Sequence, residues 1–186
     1  MRRFFDIAVS LFLLALLSVP MALIALLVKL SSEGPVLYWS DRVGMDNRIF
    51  KMPKFRTMRI GTPEVATHLI QAPERYLTPC GSFLRKFSID ELPQIWSILK
   101  GDMSLIGPRP ALYNQDDLIA LRTEKGVHRL VPGVTGWAQV NGLRGDTSIA
   151  ERTKYDVWYI ENWSLWLDFK IILRTLTNFL GDRHAY

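Results

Sequence analysis

The stretch Arg2-Arg3-Phe4-Phe5-Asp6-Ile7-Ala8-Val9-Ser10-Leu11-Phe12-Leu13-Leu14-Ala15-Leu16-Leu17-Ser18-Val19-Pro20-Met21-Ala22-Leu23-Ile24-Ala25-Leu26-Leu27-Val28-Lys29 decides how this chain is organised. From Ile7 to Val28 about 22 residues carry no charge, enough for one helix to cross a hydrocarbon core. An interior proline removes a hydrogen bond and crowds the preceding turn, so Pro20 is expected to bend or break the helix, with the Ser18 hydroxyl at hand for a freed carbonyl. Two arrangements follow: a kinked helix that passes straight through, or a helix-break-helix that enters and leaves by one face. The basic ends favour the second, because a spanning helix would strand Arg2 and Arg3 across the membrane from the rest of the chain. A signal peptide fits poorly, since the apolar run is too long and no small-residue cleavage site follows it.

Composition sets the outer bounds. A chain of 186 residues, 48% hydrophobic, can build one domain with its own core plus one membrane segment, here expected as 1–32 and 33–186. The single Cys80 excludes an intramolecular disulfide and reads as a packed residue. A formal net charge of +5 calls for anionic partners. With no dense Lys/Arg run and no nucleic-acid motif, those partners are expected to be phosphorylated substrates and the phospholipid membrane, with no nucleic acid.

After Ser31-Ser32-Glu33-Gly34-Pro35 the composition turns to that of a soluble protein. Val36-Leu37-Tyr38-Trp39 and Ile49-Phe50-Lys51-Met52 read as a short β-hairpin turning through Gly44-Met45-Asp46-Asn47, and Pro53 is expected to end the second strand. Beyond it Lys54 and Arg56 share one face if the segment is extended, either as a solvated strand face or as part of a site. Residues 61–79, with prolines at 63, 73 and 79, read as a substrate-covering loop containing a short helix. His68, His128 and His184 are too scattered for a zinc site.

The most chemically loaded stretch is Arg85-Lys86-Phe87-Ser88-Ile89-Asp90-Glu91-Leu92-Pro93-Gln94-Ile95-Trp96, followed by Lys100-Gly101-Asp102-Met103-Ser104-Leu105-Ile106-Gly107-Pro108-Arg109-Pro110. Leu92, Ile95, Trp96 and Leu99 recur at helical spacing, which predicts a helix from about Asp90 to Lys100 ended by Gly101. Ser88 and Glu91 fit a capping box, but Asp90 as N-cap is preferred because Pro93 then falls in the first turn. Adjacent carboxylates on a helix face different ways, so Asp90 and Glu91 are expected to have different jobs. Capping charges alone would explain an isolated pair; Arg85 and the proline-locked Arg109 beside them point to phosphate handling.

Farther on, 116–125 reads as an amphipathic helix closed by Gly126, its charges forming a solvated face. The glycine-rich segment 132–145 offers Gln139, Asn141 and Arg144 as polar handles, in a tight structural loop or a binding loop. From Tyr155 to Leu180, aromatic residues mixed with Lys170 and Arg174 suit either a packed helix or the water–lipid interface.

The runs Phe87 to Gln94, Lys100-Gly101-Asp102-Met103-Ser104 into Gly107-Pro108-Arg109-Pro110, and Pro132-Gly133-Val134-Thr135-Gly136-Trp137-Ala138-Gln139-Val140-Asn141-Gly142 resemble the bacterial sugar transferase family, the monotopic phosphoglycosyl transferases. The likeness covers nearly the whole chain. It implies an α+β protein: a re-entrant membrane anchor broken at Ser18 and Pro20, then a small, mostly helical cytoplasmic domain with a short β-hairpin and interfacial amphipathic helices. Here Val19 separates a serine and proline that are adjacent in the family pattern. The implied reaction moves a sugar 1-phosphate from a UDP-sugar to a polyprenyl phosphate, such as undecaprenyl phosphate, at the cytoplasmic face of a bacterial inner membrane, releasing UMP and feeding downstream glycosyltransferases of surface glycan assembly.

In that reading Asp90 is the nucleophile, Glu91 assists, and both hold Mg2+. Lys54, Arg85 and Arg109 neutralise phosphate, and Gln139, Asn141, Arg144 and Asp168 face substrate. Two other readings compete. A membrane-anchored basic module without catalysis accounts for the charge but not for the acidic pair, and a glycosyltransferase that releases UDP differs in the bond it breaks.

Overall fold

The structure, a computed structural model, describes residues 2–63, 72–143 and 147–181. Helices and short strands alternate in two compact units. One is built from the residues up to Ser40 together with Lys51–Gly101, the other from Asp41–Phe50 together with the described residues from Asp102 onward. Strands β1 (Leu37–Val43) and β2 (Ile49–Phe55) each run from one unit into the other, and β1 lies between β2 and β4 (Ala111–Leu112) in a three-stranded sheet. Pro53 does not end β2, as the sequence predicts, but lies inside it. The strand is at the sheet's edge, where a missing N–H on the outer side forfeits no ladder bond.

In the first unit, α1 (Arg2–Ser31) is helical through Pro20, and the Ser18 hydroxyl donates to the Ala15 carbonyl at 2.9 Å. Among the described residues it is the one helix long and apolar enough to cross a membrane, and almost none of that apolar run is buried. What it does bury is a single stripe: Asp6 and Ser10 near its start, and Val28 near its end. Met21, Ile24, Ala25 and Val28 pack on a core of Phe55, Cys80 and Leu84. Cys80 is packed as expected, its Sγ 3.1 Å from the Ser31 hydroxyl. Arg56 donates to the carbonyls of Ser32 (2.9 Å) and Pro35 (2.6 Å), tying the chain leaving α1 to the end of β2.

The predicted helix at 90–100 has a different winding. After α2 (Gly81–Lys86), residues Ile89–Gln94 form a 3-10 helix that runs into α3 (Ile95–Lys100), ended by Gly101 at φ +96°. Ser88, not Asp90, is the N-cap, and its side chain makes no capping bond. Its φ of +50° reverses the chain sharply out of α2, so the next turn is wound tightly and Pro93 is held within it. The described part of 61–79 includes the expected short helix, Pro73–Tyr76. His68 and His184 lie outside the described residues.

In the second unit, β3 (Ser104–Ile106) pairs in parallel with β5 (Gly133–Thr135), and β1 pairs antiparallel with β4 through Arg42↔Leu112 and Val43↔Ala111. Helices α4 (Asp116–Glu124), α5 (Trp137–Val140), α6 (Ile149–Glu161) and α7 (Leu165–Gly181) complete it around Ile106, Val140, Tyr159, Leu167 and Ile171. Gly126, at φ +76°, follows α4 as the sequence indicates. The charges of α4 do not all face solvent, however: Arg122 is buried beside Leu118. On α7, Leu165, Trp166, Phe169, Leu173 and Leu176 form an exposed apolar stripe, with Lys170 lying over the Trp166 ring.

Candidate active site

The first unit gathers four of the predicted site residues: Lys54, Arg85, Asp90 and Glu91. Because a 3-10 helix advances about 120° per residue, Asp90 and Glu91 point in different directions. Asp90 turns inward and is only 5% exposed. Glu91 meets Lys54, whose Nζ donates to Glu91 Oε1 at 2.6 Å, with both side chains largely shielded. Lys54 and Arg56 therefore do not work as one cationic face: the first reaches the acidic pair and the second the chain after α1. Arg85 Nε donates to the Thr57 hydroxyl at 2.9 Å, which ties α2 to the end of β2. Gly81, at the start of α2, has no room for a side chain, since a Cβ there would lie 2.2 Å from the Thr57 carbonyl oxygen. The two contacts hold α2, and the turn behind it, at a fixed distance from β2.

The second unit holds Arg109, Gln139, Asn141 and Asp168, while Arg144 lies outside the described residues. The turn Gly107–Pro110 is locked from several sides. Gly107 N–H donates to the Thr135 carbonyl, and Gly133 N–H to the Pro108 carbonyl, both at 2.9 Å. Arg122 Nη1 donates to the Arg109 carbonyl at 2.7 Å. The rest of the Arg122 guanidinium grips Asp156 Oδ2, through Nε at 3.1 Å and Nη2 at 2.6 Å. Burial is the largest influence on Asp156 and raises its pKa, while the Arg122 and Arg152 charges act in the opposite direction. Burial likewise lowers the pKa of Arg152, and the Arg122 charge adds to that. A small cavity of about 30 Å³ is lined by Arg109 and His128, and the buried His128 Nδ1 makes no hydrogen bond among the described residues.

The remaining predicted handles make internal bonds. Gln139 Nε2 donates to the Val134 carbonyl (3.0 Å), and Asn141 Nδ2 to that of Trp137 (2.7 Å). Asn141 Oδ1 accepts from Arg174, whose guanidinium lies over the Trp137 ring. Asp168 is buried and accepts from the Tyr159 hydroxyl (2.7 Å) and the Trp163 indole N–H (3.1 Å), bracing α6 against α7. Sequence reasoning missed Arg122, Arg152 and Asp156. Their signal lay in spacing: Leu118 and Arg122, and Arg152, Asp156 and Tyr159, recur on the inward faces of α4 and α6, with charges at positions that a solvated face would not bury.

The profile of bacterial sugar transferases matches residues 1–182. The chain belongs to that family. Among its relatives, a UDP-glucose:undecaprenyl-phosphate glucose-1-phosphate transferase of Escherichia coli (strain K12) is 40% identical over all of this chain, which spans 41% of that protein. A protein of the same name from Caulobacter vibrioides (strain ATCC 19089 / CIP 103742 / CB 15) is 42% identical over the whole chain, 72% of its own length. A UDP-N-acetylgalactosamine-undecaprenyl-phosphate N-acetylgalactosaminephosphotransferase of Aeromonas hydrophila is 38% identical over 96% of this chain and 43% of its own length. This sugar transferase chain thus spans less than half of two of these three relatives.

Proposed function

We propose that the chain is a phosphoglycosyl transferase that moves a sugar 1-phosphate from a UDP-sugar to undecaprenyl or another polyprenyl phosphate and releases UMP. The observation that carries this reading is the Asp90-Glu91 pair on its 3-10 turn, with Lys54 bonded to Glu91, in a chain of the bacterial sugar transferase family. In the first step an Asp90 oxygen attacks the phosphorus bonded to the sugar, the bond from that phosphorus to the UMP oxygen breaks, and UMP departs. The acyl phosphate on Asp90 is then attacked by a phosphate oxygen of the polyprenyl acceptor, which takes the sugar phosphate and regenerates the carboxylate. Lys54 and Arg85, in the same unit as the acidic pair, offset phosphate charge.

The donor set fits a magnesium ion. Two carboxylates supply hard oxygen ligands, and Mg2+ commonly takes one or two of these together with substrate phosphates and water. Asp90 and Glu91 would hold the ion. When bound, it supplies charge neutralisation of the diphosphate and its leaving group.

The anchor is proposed to be re-entrant, with residues 1–32 forming the membrane segment and 33–186 the catalytic domain on the cytoplasmic face of a bacterial inner membrane. Support comes from the two ends of α1, since Arg3 bonds to α3 and Val28 packs on Phe55 and Leu84, all within the first unit. Ends that rest on one compact unit suit a single membrane face. The exposed apolar stripe of α7 would lie in the interface, and the lipid-linked product would pass to downstream glycosyltransferases.

The test is to incubate the purified chain with Mg2+, a panel of UDP-sugars and polyprenyl phosphate, alongside Asp90→Asn. UMP release and an adduct of one sugar phosphate before acceptor is added, both lost in the variant and the release lost with a chelator, are the expected results. Release of UDP would establish bare sugar transfer instead, and release of no nucleotide with any donor would favour the basic anchoring module.

A further inference from the structure

Arg3 lies in the first turn of the apolar helix, yet its side chain reaches the far end of the segment that carries the acidic pair. Its Nη1 donates to the Ile98 carbonyl and its Nη2 to the Leu99 carbonyl, the latter at 2.7 Å. These carbonyls belong to the last turn of α3, where the helix dipole is negative, and the Ile98 carbonyl also accepts from the Gly101 N–H at 3.0 Å. Gly101 closes the arrangement, because a Cβ there would come 3.4 Å from Arg3 Nη2. Farther along α1, Asp6 and Ser10 are buried while Phe4, Leu11 and Phe12 are exposed, so the stripe that begins near Arg3 is turned toward protein.

Residues 89–100 form one short rod, the 3-10 turn followed without a break by α3. Lys54 holds the rod near its start through Glu91, and Arg3 holds its end. Two acceptors on successive residues suit the planar fork of a guanidinium, which offers a separate nitrogen to each. We infer that Arg3 is a positioning residue for the Asp90-Glu91 pair, so that the apolar helix is part of the catalytic unit and not only a tether. This rests on the phosphosugar transfer reading above.

The test uses the full chain in membranes, comparing the parent with Arg3→Ala and Arg2→Ala. It measures UMP release, the membrane-bound fraction, and amide hydrogen exchange across residues 89–100. Arg3→Ala is expected to stay membrane-bound with KM for the UDP-sugar within about twofold, while kcat falls about tenfold or more, the scale of a small misplacement of reacting groups. Exchange across 89–100 should quicken in this variant, and millimolar methylguanidinium, but not methylammonium, should restore several-fold of the lost kcat. Arg2→Ala removes the same charge from the neighbouring, half-buried side chain and should keep kcat within about twofold of the parent, since the Arg3 fork on the Ile98 and Leu99 carbonyls remains in place. A parental kcat in Arg3→Ala overturns the inference, as does an equal loss in Arg2→Ala or a loss that accompanies release from the membrane and is not rescued. A parent that releases no UMP sinks the transfer reading instead, and hydrogen exchange then still reports whether Arg3 clamps the rod.

Discussion

Lys54 Nζ lies 2.6 Å from Glu91 Oε1, joining the end of a strand to the first turn of the helix 37 residues later. The contact fixes Glu91 beside Asp90, the more deeply buried of the two carboxylates. Both partners are about 15% exposed, and the contact is shielded enough to matter energetically. In a double-mutant cycle with Lys54→Met and Glu91→Gln, the coupling in stability should be about 1–2 kcal/mol, as for hydrogen bonds to charged groups. Lys54→Met should also slow formation of the sugar-phosphate adduct about 100-fold, the usual scale for losing one preorganised electrostatic contact. Thermal unfolding and intact-mass kinetics check the two parts, and coupling near zero would make the contact incidental.

The grip of Arg122 on Asp156 leads to a prediction in the second unit. Both side chains are buried, and the same guanidinium supports the Arg109 carbonyl. Removing one partner strands the other charge, so Arg122→Met or Asp156→Leu alone should cost about 3–5 kcal/mol. The double variant should recover most of that loss in thermal unfolding, because replacing both members of a buried pair is often nearly neutral. Its activity should stay low, since the Arg109 carbonyl has still lost its donor. A double variant as unstable as the singles would mean that Arg152 or another neighbour, and not the pair itself, governs the cost.

How much of this was legible in the sequence depended on the range of each contact. The long apolar helix and the end of α3 at Gly101 rest on local patterns, and both are legible in the sequence. The strained backbone at Ser88 left no such mark, so the capping position was misplaced and the 3-10 winding missed. Pro53 misled because its effect on a strand depends on whether that strand is central or at an edge, which is a property of the sheet. Arg3 with Leu99, and Arg122 with Asp156, pair across 96 and 34 residues, and no single-chain pattern names such a partner.

The disposition of α1 can be tested by labelling. Phe4 is 79% exposed near the start of α1, and Glu74 is exposed in the same unit. Phe4→Cys and Glu74→Cys should react with a membrane-impermeant maleimide from the same side of sealed vesicles, with the buried native Cys80 as the slow background. Labelling from opposite sides would place the two ends of α1 across the bilayer and rule out the re-entrant arrangement.

The glycines of the second unit separate two kinds of cost. A Cβ on Gly133 would lie 2.0 Å from the Gly107 backbone nitrogen, where β5 presses on the turn that carries Arg109. Neither strand can yield without losing the Gly133-to-Pro108 hydrogen bond, so Gly133→Ala should cost more than about 3 kcal/mol, beyond ordinary overpacking, and displace Arg109. At Gly142 nothing lies within 4 Å of an added Cβ, and only its φ of +83° disfavours a side chain. Gly142→Ala should therefore cost about 1 kcal/mol, the penalty for an L residue in the left-handed region, and leave UMP release nearly intact. Thermal unfolding of the two variants side by side checks the contrast. Equal costs would mean that the close approach of Gly107 and Gly133 relaxes freely, and the lock on the Arg109 turn would then have to come from Arg122 alone.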